Sequence, residues 1–199
     1  MKKFIFLTLC LLSQMVSLQA LEFDVEARVA YFYPSDNRMR EVYNQNGWAN
    51  YQIEASTPFD FCCDCSCDWR LWTNVSYFHE TGHSSCLRDK TSVNNWAVNF
   101  GLKRYFETCM CLRPYLGLGV GFAYVQFNDH SPFVHEHVRR WGVAVLAKSG
   151  IQYDVTCNLF LDLFLDYAYN GFRFHGCCGS RRHVDTGGLN VGLGLGYKF

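Results

Sequence analysis

Cysteine is the residue type whose number and spacing most clearly suggest chemistry in this chain. The sequence contains 11 cysteines, and four of them crowd into the segment Cys62-Cys63-Asp64-Cys65-Ser66-Cys67. So many thiols are unusual in a reducing cytosol, whereas an oxidising compartment converts them into disulfides. Apart from Cys10, which lies in an N-terminal apolar run, all are disulfide candidates: Cys62, Cys63, Cys65, Cys67, Cys86, Cys109, Cys111, Cys157, Cys177 and Cys178. Metal binding by the four-Cys segment is the alternative, which an oxidising compartment disfavours because it removes free thiolates.

Histidine is the second residue type that could act chemically. The seven histidines are His79, His83, His130, His135, His137, His175 and His183. They leave three hypotheses open: ordinary polar loop residues, capture of a transition metal by His135 and His137 with help from another loop, or a surface whose charge responds to pH. The spacing of two histidines does not define a tetrahedral site, so we expect no metal and no cofactor.

A hydrolytic site would need a serine nucleophile beside a histidine base. Ser84 and Ser85 follow His83 directly. Adjacent residues of a strand point to opposite faces, and the His-x-Ser spacing that would align the pair is absent. We therefore expect no enzyme, and keep a lipid-modifying enzyme as a less favoured alternative.

The N-terminus has the pattern of a secretory signal. Lys2 and Lys3 precede an apolar run from Phe4 to Leu12, and Ala20 is a small residue at the expected cleavage point. The sequence thus predicts a signal peptide over 1–20 and one domain over 21–199. The formal net charge is zero, which gives no indication of a nucleic-acid partner.

The rest of the chain alternates between apolar and polar or small residues with the period of a β-strand. Most of the alternating segments are longer than the strands of soluble proteins and match strands that cross a bilayer at a tilt. We count eight, near residues 23–33, 49–56, 69–79, 93–106, 114–127, 140–153, 159–169 and 188–199. The pattern predicts an all-β protein, a closed antiparallel eight-stranded transmembrane β-barrel.

The two faces of these strands predict which side meets lipid. One face is apolar, and aromatic residues gather near the strand ends, as interface girdles require. Tyr105, Tyr115, Tyr197 and Phe199 are among those expected at one rim. The other face is rich in glycine and carries five acids and four bases, which we expect to form salt bridges in a filled lumen. These charged residues are Asp24, Glu26, Arg28, Glu54, Arg70, Lys103, Lys148, Asp162 and Asp166. A soluble barrel would need a more highly charged outer face than this sequence provides.

The end of the chain, Leu193-Gly194-Leu195-Gly196-Tyr197-Lys198-Phe199, resembles the signal that barrel-assembly machinery recognises on outer-membrane proteins. The segment from Arg113 to Gly121 is similar to strands common among the small eight-stranded outer-membrane β-barrels, and most of the chain from residue 21 on resembles that family. The resemblance implies a location in the bacterial outer membrane. It also implies that outer-membrane lipid and the assembly machinery are partners, with Leu195, Tyr197 and Phe199 as the assembly signal. The cysteine content resembles the disulfide-rich envelopes of chlamydia-like bacteria.

The expected topology divides the cysteines between the two sides of the membrane. Seven lie in turns facing the periplasm, and three, Cys86, Cys177 and Cys178, lie outside. A disulfide joins Cα atoms only ~4.4–6.8 Å apart, so it cannot cross an apolar band ~25 Å tall. Both counts are odd, and at least one thiol on each side is left for a bond to another molecule. We therefore expect a structural or surface-interaction role with disulfide links to other envelope proteins; a narrow channel for small hydrophobic molecules is the alternative.

Overall fold

The computed structural model describes residues 22–43, 47–59, 68–83, 90–106, 108, 111–129, 137–175 and 181–199. In chain order the elements are β1 (Asp24–Pro34), α1 (Asn37–Tyr43), β2 (Trp48–Pro58), β3 (Trp69–His83), β4 (Lys90–Tyr105), β5 (Leu112–Asp129), β6 (His137–Asp154), β7 (Leu159–His175), β8 (Arg181–Asp185) and β9 (Gly188–Lys198). No helix among these residues has the length and apolar character needed to cross a membrane. The expected signal peptide over 1–20 lies outside the described residues.

The strands close into one antiparallel barrel. Each strand from β1 to β7 pairs with the next, and β9 pairs with both β7 and β1. Strand β8 also pairs with β7, so β8 and β9 together make one side of the barrel and the barrel has the expected eight sides. Between them, the Asp185 carboxylate accepts hydrogen bonds from the backbone amides of Asn170 and Gly187, at 2.9 and 2.8 Å.

The register of the strands decides which side chains enter the barrel. In β1, every second residue from Asp24 to Pro34 is buried, and Arg28 lies opposite Gly194 of β9. On all the strands, the residues that alternate with the inward ones form an apolar outer belt. In this belt Leu118 of β5, Leu193 of β9 and Trp141 of β6 are 63, 66 and 74% exposed. The predicted assignment of the two faces is therefore confirmed. We call the end of the barrel with Phe23 and Phe199 the terminal end, and the opposite end the loop end.

The structure corrects the predicted elements in two places. The strands run further toward the loop end, so residues 170–175 and 181–185, which lie between the last two predicted segments, are strand. The interval between the first two predicted segments, residues 34–48, contains helix α1, whose Met39 and Tyr43 are only 5 and 6% exposed. These two residues are four apart, which places them on one face of a helix, and that face covers the mouth of the barrel.

Tyr105 and Tyr115 were expected in the aromatic girdle of the outer surface, and this assignment is wrong. Both are buried in the lumen, with ring centres 5.4 Å apart. Strand parity carries the signal that would have found them. Tyr105 lies two residues after the inward Lys103, and Tyr115 two residues before the inward Gly117, so each must share that face.

Candidate functional site in the lumen and at the two ends of the barrel

Arg28 of β1 is the centre of a buried ionic network in the half of the lumen nearer the terminal end. Its side chain is fully buried. Its guanidinium forms ion pairs with four carboxylates: Glu26 at 3.1 Å, Glu54 at 3.3 Å, Asp162 at 3.1 Å and Asp166 at 2.9 Å. A buried cation is tolerated only when it is paired and hydrogen-bonded in this way.

Two lysines complete the network. Lys103 Nζ lies 2.9 Å from Glu54 Oε1, and Lys148 Nζ lies 2.6 Å from Glu54 Oε2 and 3.3 Å from Asp166. Arg28 also donates a hydrogen bond of 3.0 Å to the hydroxyl of Tyr115. Its guanidinium carbon lies 3.6 Å from the centre of the Phe164 ring, in cation–π contact.

A second ionic group lies at the rim of the terminal end. Arg70 pairs with Asp24 of β1. Lys198 and Arg113 both bind Asp154, at 2.7 and 3.2 Å. The Arg70–Asp24 pair is buried and the two pairs of Asp154 are partly exposed; together they join the beginning, middle and end of the chain. All nine inward charges expected from the sequence are buried and ion-paired, so that prediction is confirmed.

Glycines on β9 make room for this network. A Cβ atom at Gly194 would overlap the carboxylate of Glu26, and one at Gly196 would overlap the ring of Phe160. The alternation of Gly with Leu along β9 therefore has a packing reason: small residues inside leave space for long or bulky side chains from β1 and β7.

An apolar cap closes the loop end of the lumen. Phe32, Trp48 and Phe78 pack with ring centres 5.0 to 5.6 Å apart. Tyr43 of α1 meets the edge of Trp48, with ring centres 6.1 Å apart, and its hydroxyl lies 3.2 Å from Thr91 Oγ1. The cap and the ionic network together fill the lumen that the described residues enclose.

Solved structures share this architecture, whereas no protein-family model and no curated protein sequence matches the chain. Neisserial surface protein A aligns over 90% of this chain and 97% of its own, with 14% identity and a TM-score of 0.56. Ail of Yersinia pestis, solved with the heparin analogue sucrose octasulfate, aligns over 90 and 99%, with 15% identity and a TM-score of 0.55. OprG of Pseudomonas aeruginosa aligns over 90 and 96%, with 17% identity and a TM-score of 0.55.

The fold is that of the small bacterial outer-membrane β-barrels. The apolar outer belt agrees with an outer-membrane location, because a belt of exposed leucine, valine and aromatic side chains is stable only against lipid. At these identities the likeness establishes the fold and leaves the activity to be argued from this chain's own residues.

Of the ten disulfide candidates, the structure describes Cys111 and Cys157. Both are exposed, they form no disulfide with each other, and they lie in the turns that follow β4 and β6 at the terminal end. The turns are neighbours, since the Cys111 carbonyl oxygen accepts a 3.1 Å hydrogen bond from the amide of Asp154. The other eight, Cys62, Cys63, Cys65, Cys67, Cys86, Cys109, Cys177 and Cys178, lie outside the described residues.

The residues expected to form the assembly signal lie together on the outer surface. Leu195, Tyr197 and Phe199 are 52, 45 and 61% exposed. Phe199 stacks on Phe23 with ring centres 4.6 Å apart, and its amide donates a 2.9 Å hydrogen bond to the Phe23 carbonyl oxygen. The last residue therefore closes the seam between the first and last strands.

The candidate chemical residues at the loop end do not form a site among the described residues. His79 and His83 are exposed on β3, and His79 Nδ1 lies 2.7 Å from the amide oxygen of Asn94. No group of three or more His, Cys, Asp or Glu there is arranged to hold a metal ion. Ser84, Ser85, His130 and His135 lie outside the described residues, so the hydrolase and histidine-metal hypotheses remain untested predictions.

Sequence reasoning missed a concentration of positive charge at the loop end. We call it the arginine cluster, and it consists of Arg139, Arg140, Arg173, Arg181 and Arg182. Arg139 and Arg140 lie on β6, and the register places Arg173 of β7 opposite His183 of β8. The dipeptides Arg139-Arg140 and Arg181-Arg182 are the sequence signal, and the ladders of β7 with β6 and with β8 place both dipeptides at the same end of the barrel.

Proposed function

We propose that this protein is an integral outer-membrane barrel with a structural and surface-interaction role, and that its loop end faces outward. The observation that carries the proposal is a filled lumen combined with an arginine-rich part of the loop end. A barrel whose interior is occupied by paired ions and aromatic rings provides an anchor in the membrane rather than a wide aqueous pore. The surfaces at the two ends of the barrel are then the parts of the molecule that can bind a partner outside the membrane.

The filled lumen distinguishes this proposal from the channel alternative. A conduit for small hydrophobic molecules along the axis would have to displace both the cap around Trp48 and the network around Arg28. Planar-bilayer recordings of the refolded protein test this, and we expect no steady current. A stable open conductance would contradict the proposal and favour a channel.

We propose that the arginine cluster binds sulfated polyanions. The segments 137–141, 171–175 and 181–185 contain five arginines and three histidines against one acid, Asp185. The carboxylate of Asp185 already accepts hydrogen bonds from two backbone amides. Arginine is the side chain best suited to bind sulfate or phosphate groups through paired hydrogen bonds. The binding of sucrose octasulfate by Ail, a barrel of the same fold, agrees with this choice of ligand.

The test is retention of the refolded protein on immobilised heparin near ~0.15 M salt, where distant surface charges are screened. Replacing Arg139 and Arg140 by Gln should weaken binding about 5- to 30-fold, if each contact contributes roughly 0.5–1 kcal/mol. Arg40→Gln with Lys90→Gln removes the same charge from the loop end but away from the cluster, and should have a smaller effect. Equal losses in the two double variants would show attraction by overall charge alone and would contradict a specific site.

We also propose that the terminal end faces the periplasm and that its thiols link the barrel to neighbouring envelope proteins. The exposure of Cys111 and Cys157 on adjacent turns supports this. Envelopes harvested into an alkylating agent should show a ladder on non-reducing electrophoresis, which collapses on reduction. Replacing both residues by Ser should weaken the ladder. Monomer alone, with and without reductant, would contradict the linkage.

A further inference from the structure

A groove on the outer surface of the barrel runs along β4 and β5 near the terminal end. It has a volume of about 730 Å³. Its apolar walls come from outward-facing side chains: Phe100 and Leu102 of β4, and Leu116, Leu118 and Val120 of β5. All five are exposed, between 37 and 63%, so the groove opens on the side of the barrel that meets lipid.

One cation lies at the end of this groove. Arg104 of β4 is part of its wall, and the register places Arg104 opposite Leu116 and opposite Trp69, the first residue of β3. Its guanidinium carbon lies 5.7 Å from the centre of the Trp69 ring and 5.4 Å from that of Phe106, within the range of cation–π contact. The two rings therefore hold a positive charge at the level where aromatic girdles meet lipid headgroups.

The face on which Arg104 lies distinguishes it from the other charged residues of the terminal half. Arg70, Arg113, Asp154 and Lys198 have the inward parity of their strands and belong to the ionic group at the rim. Among the strand residues that the structure describes, Arg104 is the one ionised side chain on the outer face of this half. That part of the outer face is therefore positive rather than neutral, and it is in contact with the membrane.

The length of the groove sets the kind of molecule that fits it. From Arg104 to Phe100, which lies opposite Val120, the groove follows β4 for ~13 Å at the rise of an extended strand. This distance stays within one leaflet of an apolar band ~25 Å tall. Apart from Arg104, its wall contains no charged side chain. A matching ligand thus has an anionic group at the Arg104 end and an apolar chain that extends toward the middle of the membrane.

We propose that this groove binds one anionic glycerophospholipid, with its phosphate on Arg104 and one acyl chain along the groove. A guanidinium suits phosphate because it donates paired hydrogen bonds to two oxygens. A zwitterionic lipid carries a positive group in the same headgroup, which Arg104 repels, so it should bind less well. The choice of leaflet rests on the proposed orientation: with the terminal end toward the periplasm, the lipid comes from the inner leaflet.

The proposal is tested with protein refolded into vesicles that contain equal amounts of phosphatidylglycerol and phosphatidylcholine with identical acyl chains. Native mass spectrometry after release from the vesicles counts the lipid that each chain retains. Phosphatidylglycerol should be retained about fivefold over phosphatidylcholine, the effect of one arginine on an anionic headgroup. Arg104→Gln should abolish this preference. Lys90→Gln, which removes a charge from the outer face of the same strand at the loop end, should leave it unchanged.

A second pair of variants tests the place of the acyl chain. Leu118→Trp should fill the groove and lower the retention of both lipids, whereas Leu193→Trp, at a similarly exposed position on β9, should not. Equal retention of the two lipids by the native protein would overturn the site, whether or not a variant folds. So would a dimer that retains no lipid, because the groove would then be a contact between two copies. Both leaflets of the vesicle have the same composition, so a failure here would leave the proposed orientation untouched.

Discussion

Arg28 Nη1 lies 2.9 Å from Asp166 Oδ2, although the two residues are 138 positions apart in the chain. They belong to β1 and β7, which are not hydrogen-bonded neighbours. Only β9 lies between these two strands, so the contact passes in front of the glycines of β9 and ties β1 to β7 inside the lumen. A barrel stabilised in this way depends on one cation for the pairing of several buried carboxylates.

Removing that cation should be strongly destabilising. Arg28→Met leaves the facing carboxylates buried without their partner, and we expect a loss of about 3–5 kcal/mol in the free energy of unfolding. Urea titration of the protein refolded in lipid vesicles, followed by tryptophan fluorescence, measures it. Arg113→Met is the matched control, because its pair with Asp154 is partly exposed and should contribute only about 0–1 kcal/mol. Equal losses in the two variants would show that the buried network contributes no more to the free energy of unfolding than a partly exposed ion pair does.

Phe199 should matter more for assembly than for stability. Phe199→Ala and Phe23→Ala remove the same stacked pair, so both should lose about 0.5–1.5 kcal/mol beyond the buried area. Only Phe199 belongs to the expected assembly signal, so only Phe199→Ala should reduce the amount of folded protein in the outer membrane. Folded protein is recognised by a mobility on electrophoresis that changes on heating, because a closed barrel resists detergent at room temperature. Equal yields of the two variants would contradict the signal.

The barrel and its two faces could be predicted because both follow from strand periodicity. Alternation places Arg28, Glu54 and Asp166 on the inner face whatever the details of packing. The glycines of β9 gave the same answer independently. The aromatic girdle was harder, since residue type alone does not distinguish Tyr197, which faces outward, from Tyr115, which faces the lumen.

Features that depend on contacts between distant strands could not be predicted. Helix α1 has only seven residues, which is too few for a helix to be stable alone. It is stabilised because Met39 and Tyr43 pack against the apolar residues at the mouth of the barrel. The arginine cluster likewise depends on the pairing of β7 with β8, which places Arg173 beside His183.

Acidification should strengthen polyanion binding at the loop end. An unperturbed histidine gains a proton as the pH falls through ~6.5, so His137, His175 and His183 should add positive charge beside the arginine cluster between pH ~7.5 and ~5.5. Retention on immobilised heparin should rise over that interval. Replacing the three residues by Gln should flatten the pH dependence while leaving binding at the higher pH unchanged. An unaltered rise in this variant would assign the effect to other groups.

Substitutions in helix α1 should loosen the apolar cap locally without opening the barrel to ions. Replacing Met39 and Tyr43 by Ala removes the two buried side chains that α1 packs into the cap, so acrylamide should gain access to Trp48, which is 2% exposed. The signal of Trp48 is isolated by comparison with the same variant carrying Trp48→Phe. Glu41→Gln, on the exposed side of the helix, is the control and should leave quenching unchanged. Because the network around Arg28 closes the other half of the lumen independently, planar bilayers should still show no steady current. A current that appears when the cap alone is removed would show that the ionic network does not seal the barrel.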